Sequence, residues 1–245
     1  QLSARNLLDI ERVRLGAQAP APDAFTALKD EHDFVLTTMG RMSMEKNQAA
    51  LIEAVALLRE QDGARSDDPG DGTEDDSTQG LNIGLAIVGS GVLEGTLRAR
   101  IDSLGLAGHV TLLGQMGNPF PVLGGADLFV LPSLHEGQPV TLLEAMTLGT
   151  AVVASDLPGN RELITLGYGV LSGTSPQDIA QAIRTALADP LRARGIFDVQ
   201  EHNARSLRDT LDAVLGSEAL HQQTKEDEAS PRSRCSRAAS QGAIA

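Results

Sequence analysis

Short apolar runs alternate along this chain with longer segments that have helical periodicity. Five runs are typical of strands buried on both faces: DFVLTTMG from Asp33, LNIGLAIVG from Leu81, HVTLLG from His109, DLFVLP from Asp127 and AVVAS from Ala151. Between them, NQAALIEAVALLRE, LEGTLRARIDSLG, PVTLLEAMTLG and PQDIAQAIRTALAD carry apolar positions at spacings of three and four, which predicts amphipathic helices. Strands joined by crossover helices form a parallel sheet that is covered on both faces. We therefore predict an α/β fold with a doubly wound parallel sheet, whose ligands bind beyond the carboxyl ends of the strands.

The composition limits the class of protein. With 245 residues, of which 41% are hydrophobic, the chain can build one large α/β domain or two small ones. The net charge of −13 and a pI near 4.7 argue against a nucleic-acid partner, because phosphate binding requires clustered Lys and Arg. The single cysteine, Cys235, excludes an internal disulfide framework and fits a reducing compartment.

The sequence has neither an apolar run long enough to span a bilayer nor a charged-then-apolar signal segment at its start. We therefore expect a cytoplasmic location, with peripheral contact at the inner face of the membrane left open.

Two polar segments interrupt the pattern. Residues 61–80, QDGARSDDPGDGTEDDSTQG, are rich in Asp, Gly and Ser and have no apolar periodicity, which predicts a disordered acidic insertion. Residues 217–245 are similarly polar and predict a disordered tail. We do not expect either segment to carry chemistry.

A glycine-rich motif, IVGSGVLEG, places Gly89, Gly91 and Gly95 between a predicted strand and a predicted helix. Taken alone it resembles a dinucleotide-binding fingerprint. A nicotinamide site requires an acidic residue at the end of the next strand, and HVTLLG does not have one. The motif could let the backbone approach a bound anion or sugar closely, or it could be a tight turn without a ligand.

A basic pair follows the first predicted strand in TTMGRMSMEKNQ. Gly40 allows a sharp turn, Ser43 is a possible helix cap, and Arg41 and Lys46 flank it near the first helical turn. Two cations beside a helix amino terminus form a local anion site, for which a diphosphate is the obvious ligand. The alternative is a solvated lysine and an arginine paired with a surface acid.

Two glutamates follow the fourth predicted strand, in LFVLPSLHEGQPVTLLEAMTLGT. Glu136 lies in the loop, Pro139 suits the first position of the next helix, and Glu144 lies just over one turn inside that helix. Glu144 could accept hydrogen bonds from a ribose diol, and Glu136 could contact a second polyol. The alternative is that Glu136 is solvated in the loop and that Glu144 caps or pairs on the helix.

In combination, these motifs resemble the retaining glycosyltransferases of the GT-B fold, family 4. The likeness runs from about Asp33 to about Leu215 and includes GRMSMEKNQ, the stretch LAIVGSGVLEGTLRARIDSLGLAGHVTLLGQMGNP and ADLFVLPSLHEGQPVTLLEAMTLGTAVVASDLPGNREL. It is strongest to bacterial members that build cell-envelope polymers. The resemblance implies a Rossmann-like sheet that forms the C-terminal, nucleotide-sugar-binding half of a GT-B fold.

The resemblance also implies roles for single residues. Arg41 and Lys46 would hold the donor diphosphate without a metal, Glu136 would face the donor sugar and the transition state, and Glu144 would bind the ribose. The remaining donor-binding residues would contribute mainly backbone groups: Gly40, Gly89, Gly91, Gly137, Gln138, Pro139 and Val140. Ser90 stands where the family often has an acidic residue. The backbone from Leu113 to Met116 would line the base.

The implied activity is transfer of a hexose from a nucleoside diphosphate sugar to a cell-envelope or other glycan acceptor, with retention of configuration. UDP is the expected donor nucleotide, and no cofactor or metal is expected. Residues 1–32 resemble a connector from an N-terminal acceptor domain, and residues 33–216 would form the donor domain. We therefore expect that the missing acceptor domain or a separate subunit is needed for transfer. The alternative is a non-catalytic nucleotide-sugar-binding or regulatory module of the same fold.

Overall fold

The computed structural model describes residues 8–63, 81–164, 168–189 and 198–208. One compact unit comprises Leu8–Val199. A second comprises residues 1–7 and 200–245, of which 200–208 are described and are helical. Most of the predicted acidic insertion and all of the predicted tail lie outside the described residues. Residues 61–63 continue the preceding helix.

The described part of the first unit is built around a six-stranded, all-parallel sheet in the order β3-β2-β1-β4-β5-β6. The strands are β1 Phe34–Met39, β2 Ile83–Val88, β3 Val110–Gly114, β4 Leu128–Leu131, β5 Ala151–Ser155 and β6 Val170–Ser172. This confirms the predicted doubly wound parallel sheet. The order reverses between β1 and β4, so the crevice of this sheet lies beyond the carboxyl ends of those two strands.

Helices cover both faces of the sheet. They are α1 Ile10–Gly16, α2 Asp23–Glu31, α3 Gln48–Gly63, α4 Glu94–Ser103, α5 Phe120–Gly125, α6 Val140–Thr147, α7 Pro158–Ile164 and α8 Pro176–Ala188. One core cluster joins α3, α4 and α8 to one face, through strand residues such as Leu36, Leu85 and Val153. The clusters on the other face join it to α1, α2, α5 and α6, through Val35 and Phe129 among others.

Helices α1 and α2 form within the segment predicted as a connector. Phe25 and Leu28 of α2 are 1% and 3% exposed, and α2 packs against β1, β2 and β3. Burying a side chain of this size contributes about 1.5–3 kcal/mol to folding. Helix α2 therefore covers part of the sheet, and α1 packs against α5 and α6 in the same compact unit.

One expectation about the strands is wrong. β3 was expected to be buried on both faces, but only Val110 is fully buried and the other four residues are half-buried. The cause is its place in the order, because β3 is an edge strand and has a neighbour on one side only.

A histidine pair lies at the opposite edge of the sheet from the crevice, where β3 begins. His32 is buried, and its Nδ1 lies 2.8 Å from the carbonyl oxygen of Leu28 while its Nε2 lies 2.8 Å from Nδ1 of His109. A carbonyl can only accept, so His32 donates from Nδ1 and neutral His32 accepts from His109. Burial lowers the pKa of His109, and the charge of Arg59 adds to the effect, while Glu31 opposes it.

We predict that His109 makes folding pH-dependent. Because the pKa of His109 is lowered on folding, its contribution to stability is fully present above its ordinary value of 6.5 and is lost as the pH falls below that value. Urea denaturation of the wild type should give a lower midpoint at pH 5.5 than at pH 7.5. His109→Asn keeps a donor near Nδ1 without the titration, so its pH dependence should be smaller. An equal pH dependence in both proteins would contradict this assignment.

Candidate functional site

The loops that follow β1 and β2 are tied to each other by backbone hydrogen bonds at the carboxyl edge of the sheet. The N–H of Gly40 donates to the carbonyl of Val88, and the N–H of Met42 donates to that of Ser90, both at 3.0 Å. These contacts continue the β1–β2 pairing beyond the ends of the strands. They fix the backbone on both sides of Arg41.

Gly89 and Gly91 are the residues that permit this close approach. Gly89 has a φ of +132°, and a Cβ added there would lie 2.0 Å from the carbonyl oxygen of Gly40. A Cβ at Gly91 would lie 2.4 Å from the carbonyl oxygen of Met42. The backbone that these two glycines admit is therefore that of the neighbouring loop. The third glycine of the motif, Gly95, lies in α4 and has nothing within 4 Å of its Cβ position.

A cavity of about 310 Å³ opens beside these loops. Its lining residues come from the ends of β1, β2 and β3: Met39, Gly40, Arg41, Val88, Gly89, Ser90, Gln115, Met116 and Pro119. Met39, Val88 and Met116 give it apolar walls, and the hydroxyl of Ser90 donates to Oε1 of Gln115 at 3.2 Å. The cavity contains three of the predicted site residues, Gly40, Arg41 and Gly89, and the Arg41 side chain is exposed at it.

Lys46 lies in a short 3₁₀ turn, Met44–Lys46, which ends just before the first turn of α3, near which the sequence placed it. Ser43 occupies the cap position of that turn, but its side chain makes no capping hydrogen bond. Its hydroxyl instead bonds to Glu45, which lowers the pKa of that carboxyl. The turn directs Lys46 toward the loop that follows β4.

Lys46 and Glu136 form an ion pair across the point where the strand order reverses. Nζ of Lys46 donates to Oε1 of Glu136 at 2.5 Å, and the hydroxyl of Ser133 donates to the same oxygen at 2.7 Å. The side chains of Lys46 and Glu136 are 24% and 6% exposed. A Cβ at Gly40 would lie 3.3 Å from Cδ and Cε of Lys46. The absence of a side chain at Gly40 therefore leaves room for the lysine chain to pass.

Asn47 ties three strand ends together beside this pair, and the sequence patterns did not single it out. It adopts the left-handed conformation with a φ of 53°. Its Nδ2 donates to the carbonyls of Pro132 and Thr174, at 3.1 and 3.0 Å. The loops after β1, β4 and β6 are therefore held by one amide. An Asn before a helical run, a residue type that tolerates this backbone, is the only signal that could have indicated it.

The loop from Gly137 to Val140 forms the outer rim. Gly137, Gln138 and Val140 are exposed, and the N–H of Val140 already donates to the carbonyl of Gln138 at 2.9 Å. Pro139 was expected at the first position of the helix, but it precedes α6 with a ψ of 62°, outside the helical range. Its fixed φ still directs the chain into the helix.

Glu144 lies in α6, partly buried, and does not line the cavity. Burial raises the pKa of its carboxyl, while the charge of Arg12 in α1 opposes that shift. Within the described ranges, the carboxylate of Glu144 has no hydrogen-bonding partner. A half-buried acceptor without a donor is available to the hydroxyl groups of a ligand.

The structure thus brings Gly40, Arg41, Lys46, Gly89 and Glu136 to one edge of the sheet. Gly91 packs under the same loops, and residues 137–140 form the rim. In the part of the chain that is described, no group of three or more His, Cys, Asp or Glu side chains could hold a metal ion. Within the same ranges, none of the helices has both the length and the apolar character needed to cross a membrane.

The family of glycosyl transferases group 1 matches residues 22–204 of this chain. A relative from Campylobacter jejuni, named N-acetylgalactosamine-N,N'-diacetylbacillosaminyl-diphospho-undecaprenol 4-alpha-N-acetylgalactosaminyltransferase, is 29% identical over 86% of this chain and 52% of its own length. The UDP-Gal:alpha-D-GlcNAc-diphosphoundecaprenol alpha-1,3-galactosyltransferase of Escherichia coli is 31% identical over 54% of this chain and 30% of its own length. The chain spans about a third to a half of the length of such relatives.

Among solved structures, Anabaena Alr3699/HepE in complex with UDP-glucose matches with a TM-score of 0.61 and 24% identity. The match covers 85% of this chain and 56% of that one. At this identity the likeness concerns the fold. It confirms the Rossmann-like sheet and its similarity to GT-B glycosyltransferases.

We predict that alanine substitutions at two glycines of the same motif differ in their effect on stability. Gly89→Ala places a Cβ against the backbone of Gly40 at an unfavourable φ, and should destabilise the protein by at least about 2 kcal/mol. Gly95→Ala adds its Cβ in open space within α4, and should leave stability unchanged or raise it by up to about 1 kcal/mol. Urea denaturation of both variants measures the difference. Equal midpoints would show that the loop contact does not constrain Gly89.

Proposed function

Since this chain belongs to the group 1 glycosyl transferases, we propose that it is the donor-binding domain of a retaining hexosyltransferase of family 4. Its substrate would be a nucleoside diphosphate sugar, and its acceptor a cell-envelope or other glycan. The observation that carries the proposal is the Lys46–Glu136 pair, beside Arg41, at the reversal of the strand order.

The chemistry of transfer matches the charges at this edge. Breaking the anomeric C–O bond creates positive character on the sugar and negative charge on the departing diphosphate. Preoriented groups of opposite charge at these two positions lower the barrier. In the proposal, Arg41 and Lys46 stabilise the diphosphate, and Glu136 faces the sugar. An ammonium has three donors, so Lys46 can keep its bond to Glu136 and still donate to a phosphate.

The remaining donor contacts are proposed from the same geometry. Gly89 and Gly91 shape the loop under the diphosphate, and residues 137–140 supply backbone groups at the rim. The half-buried Glu144 would accept hydrogen bonds from the ribose. The apolar walls of the cavity, at Met39 and Met116, suit a planar base.

The names of two relatives support retention, and the ligand of a solved structure supports UDP. Both curated relatives named above are alpha-transferases, and retention gives an alpha product from an alpha-linked donor. The structure of Anabaena Alr3699/HepE contains UDP-glucose, which favours UDP over other nucleotides. A relative from Mycobacterium tuberculosis is named as GDP-mannose-dependent, so the base needs a direct test.

We propose that the acceptor is bound by a further domain or subunit, since the relatives are two to three times as long as the match. Four apolar side chains lie exposed on the loops at the carboxyl edge: Met44 at 70%, Val92 at 92%, Leu134 at 37% and Val140 at 40%. A partner that covered this edge would remove these side chains from water. Peripheral contact with a membrane stays part of this proposal.

A second candidate function is a non-catalytic nucleotide-sugar-binding or regulatory module. It is favoured by the way the site satisfies its own groups, because Lys46 is neutralised by Glu136 and the N–H of Val140 is used within its own loop. In that case the ion pair would serve to connect β1 to β4.

Calorimetric titration with UDP, GDP, ADP and CDP tests donor binding. We expect UDP to bind most tightly, and Arg41→Ala to weaken every diphosphate by about 10-fold or more, as expected for loss of a charge-assisted hydrogen bond. Glu144→Ala should weaken UDP more than 2′-deoxy-UDP, because only UDP has the complete ribose diol. Arg98→Ala, at an exposed pair on α4, is the matched control. A folded wild type that binds no nucleotide at millimolar concentration would refute the proposal.

A transfer assay separates the enzyme from the binding module. We expect the chain alone to transfer little or no labelled sugar from UDP-glucose, and the full-length protein or reconstituted pair to transfer it. In the complete enzyme, Lys46→Ala should abolish transfer because the leaving diphosphate loses a cation. Transfer by the isolated chain to a defined acceptor would show that no further domain is needed. Unchanged transfer by the Lys46→Ala variant would contradict the assigned mechanism.

A further inference from the structure

Three small polar side chains lie behind Glu136, completely removed from solvent. Ser133, Ser155 and Asn160 are each 0% exposed. A buried hydroxyl or amide destabilises a protein unless it is hydrogen-bonded, so the partners of these groups indicate what they hold in place. None of the three belongs to the residues that the sequence patterns indicated.

Ser155 and Asn160 fix the backbone of Ser133. The hydroxyl of Ser155 donates to the carbonyl of Ser133 at 2.6 Å. Nδ2 of Asn160, in α7, donates to the carbonyl of Ser155 at 2.9 Å. These bonds tie the loop after β4 to the end of β5. The position of Ser133 is therefore set by β5, which lies on the opposite side of β4 from β1 and Lys46.

Ser133 in turn acts on one particular oxygen of Glu136. Its hydroxyl and the ammonium of Lys46 both donate to Oε1, at 2.7 and 2.5 Å. Within the described ranges, Oε2 has no donor. Both oxygens of a carboxylate can accept hydrogen bonds. Because the protein's donors all bind one oxygen, the other can accept from a ligand.

The geometry points to Ser133 as a positioning residue for the transfer reaction. It fixes the plane of the Glu136 carboxylate so that the oxygen without a protein donor faces the donor sugar, and Ser155 and Asn160 hold Ser133 in the required place. This inference rests on the proposed function, since it takes Glu136 as the residue that contacts the sugar.

A second donor is needed because Lys46 alone cannot set this orientation. The terminal torsion of a glutamate is broad, so partial rotation of the carboxylate plane has a small energetic cost. The lysine chain is flexible, and its ammonium can follow the carboxylate as the carboxylate rotates. Ser133 is rigid by comparison, because it is buried and its carbonyl is bonded to Ser155.

The test compares affinities for UDP and for sugar nucleotides. Calorimetry would first identify which of UDP-glucose, UDP-galactose and UDP-N-acetylglucosamine binds the wild type more tightly than UDP. Ser133→Ala should then weaken that sugar nucleotide by about 5–10-fold, within the range of one hydrogen bond to a charged group. Its affinity for UDP should change by less than about 2-fold on the same ground, since UDP lacks the sugar. Ser133→Thr keeps the hydroxyl and should restore the wild-type difference.

A double-mutant cycle distinguishes positioning from a general structural effect. In a Glu136→Ala background, Ser133→Ala should cause no further loss of sugar-nucleotide affinity, because there is no carboxylate to orient. If Ser133→Ala does not fold, Ser133→Cys keeps the size of the side chain with a weaker donor, and the same cycle applies. Circular dichroism establishes that each variant is folded.

The outcomes separate this inference from the proposed function. Equal loss of UDP and sugar-nucleotide affinity in the Ser133→Ala variant, or no loss of either, would overturn the positioning role while donor binding stands. A wild type that binds UDP but gains nothing from any of the three sugars would also overturn it. A wild type that binds no nucleotide would refute the proposed function itself, and this inference with it.

Discussion

The ion pair between Lys46 and Glu136 is the interaction on which the candidate site depends. It links two loops that are 90 residues apart in sequence, at the point where the strand order reverses. Removing one member of a buried ion pair typically costs about 3–5 kcal/mol, because the other charge is left without a partner. Lys46 is a quarter exposed, so its loss should lie at the lower end. Under the proposed function the same pair would serve both stability and chemistry, so the stability of each variant has to be measured alongside its activity.

The supports around this pair are mostly contacts of the backbone. Asn47 bonds to two carbonyls on other loops, and Gly89 lets the second loop approach the first within contact distance. Backbone contacts depend little on which side chains surround them. A domain built in this way can vary the walls of its cavity, such as Gln115 and Met116, without moving its charged residues.

The sequence predicted the sheet well because buried parallel strands are continuous apolar runs. It did not predict β6, whose three residues are too short for a periodicity, or the half-exposed state of β3, which depends on the strand order. Glu136 and Lys46 were assigned by resemblance, and no local pattern could have paired residues so far apart. Ser133 and Asn160 were missed since serine and asparagine are common in loops, and only the folded structure shows them fully buried.

Because α2 packs against the sheet, it limits how far this domain can be truncated at its amino-terminal end. Its Phe25 and Leu28 fill space against β1, β2 and β3, ahead of the first strand. A recombinant fragment that started at residue 33 would expose that apolar surface to water. The fragment would lose the free energy of its burial, which is a sizeable part of the few kcal/mol that keep a domain folded. A fragment prepared for crystallography should therefore retain the chain from Leu8, where this compact unit begins.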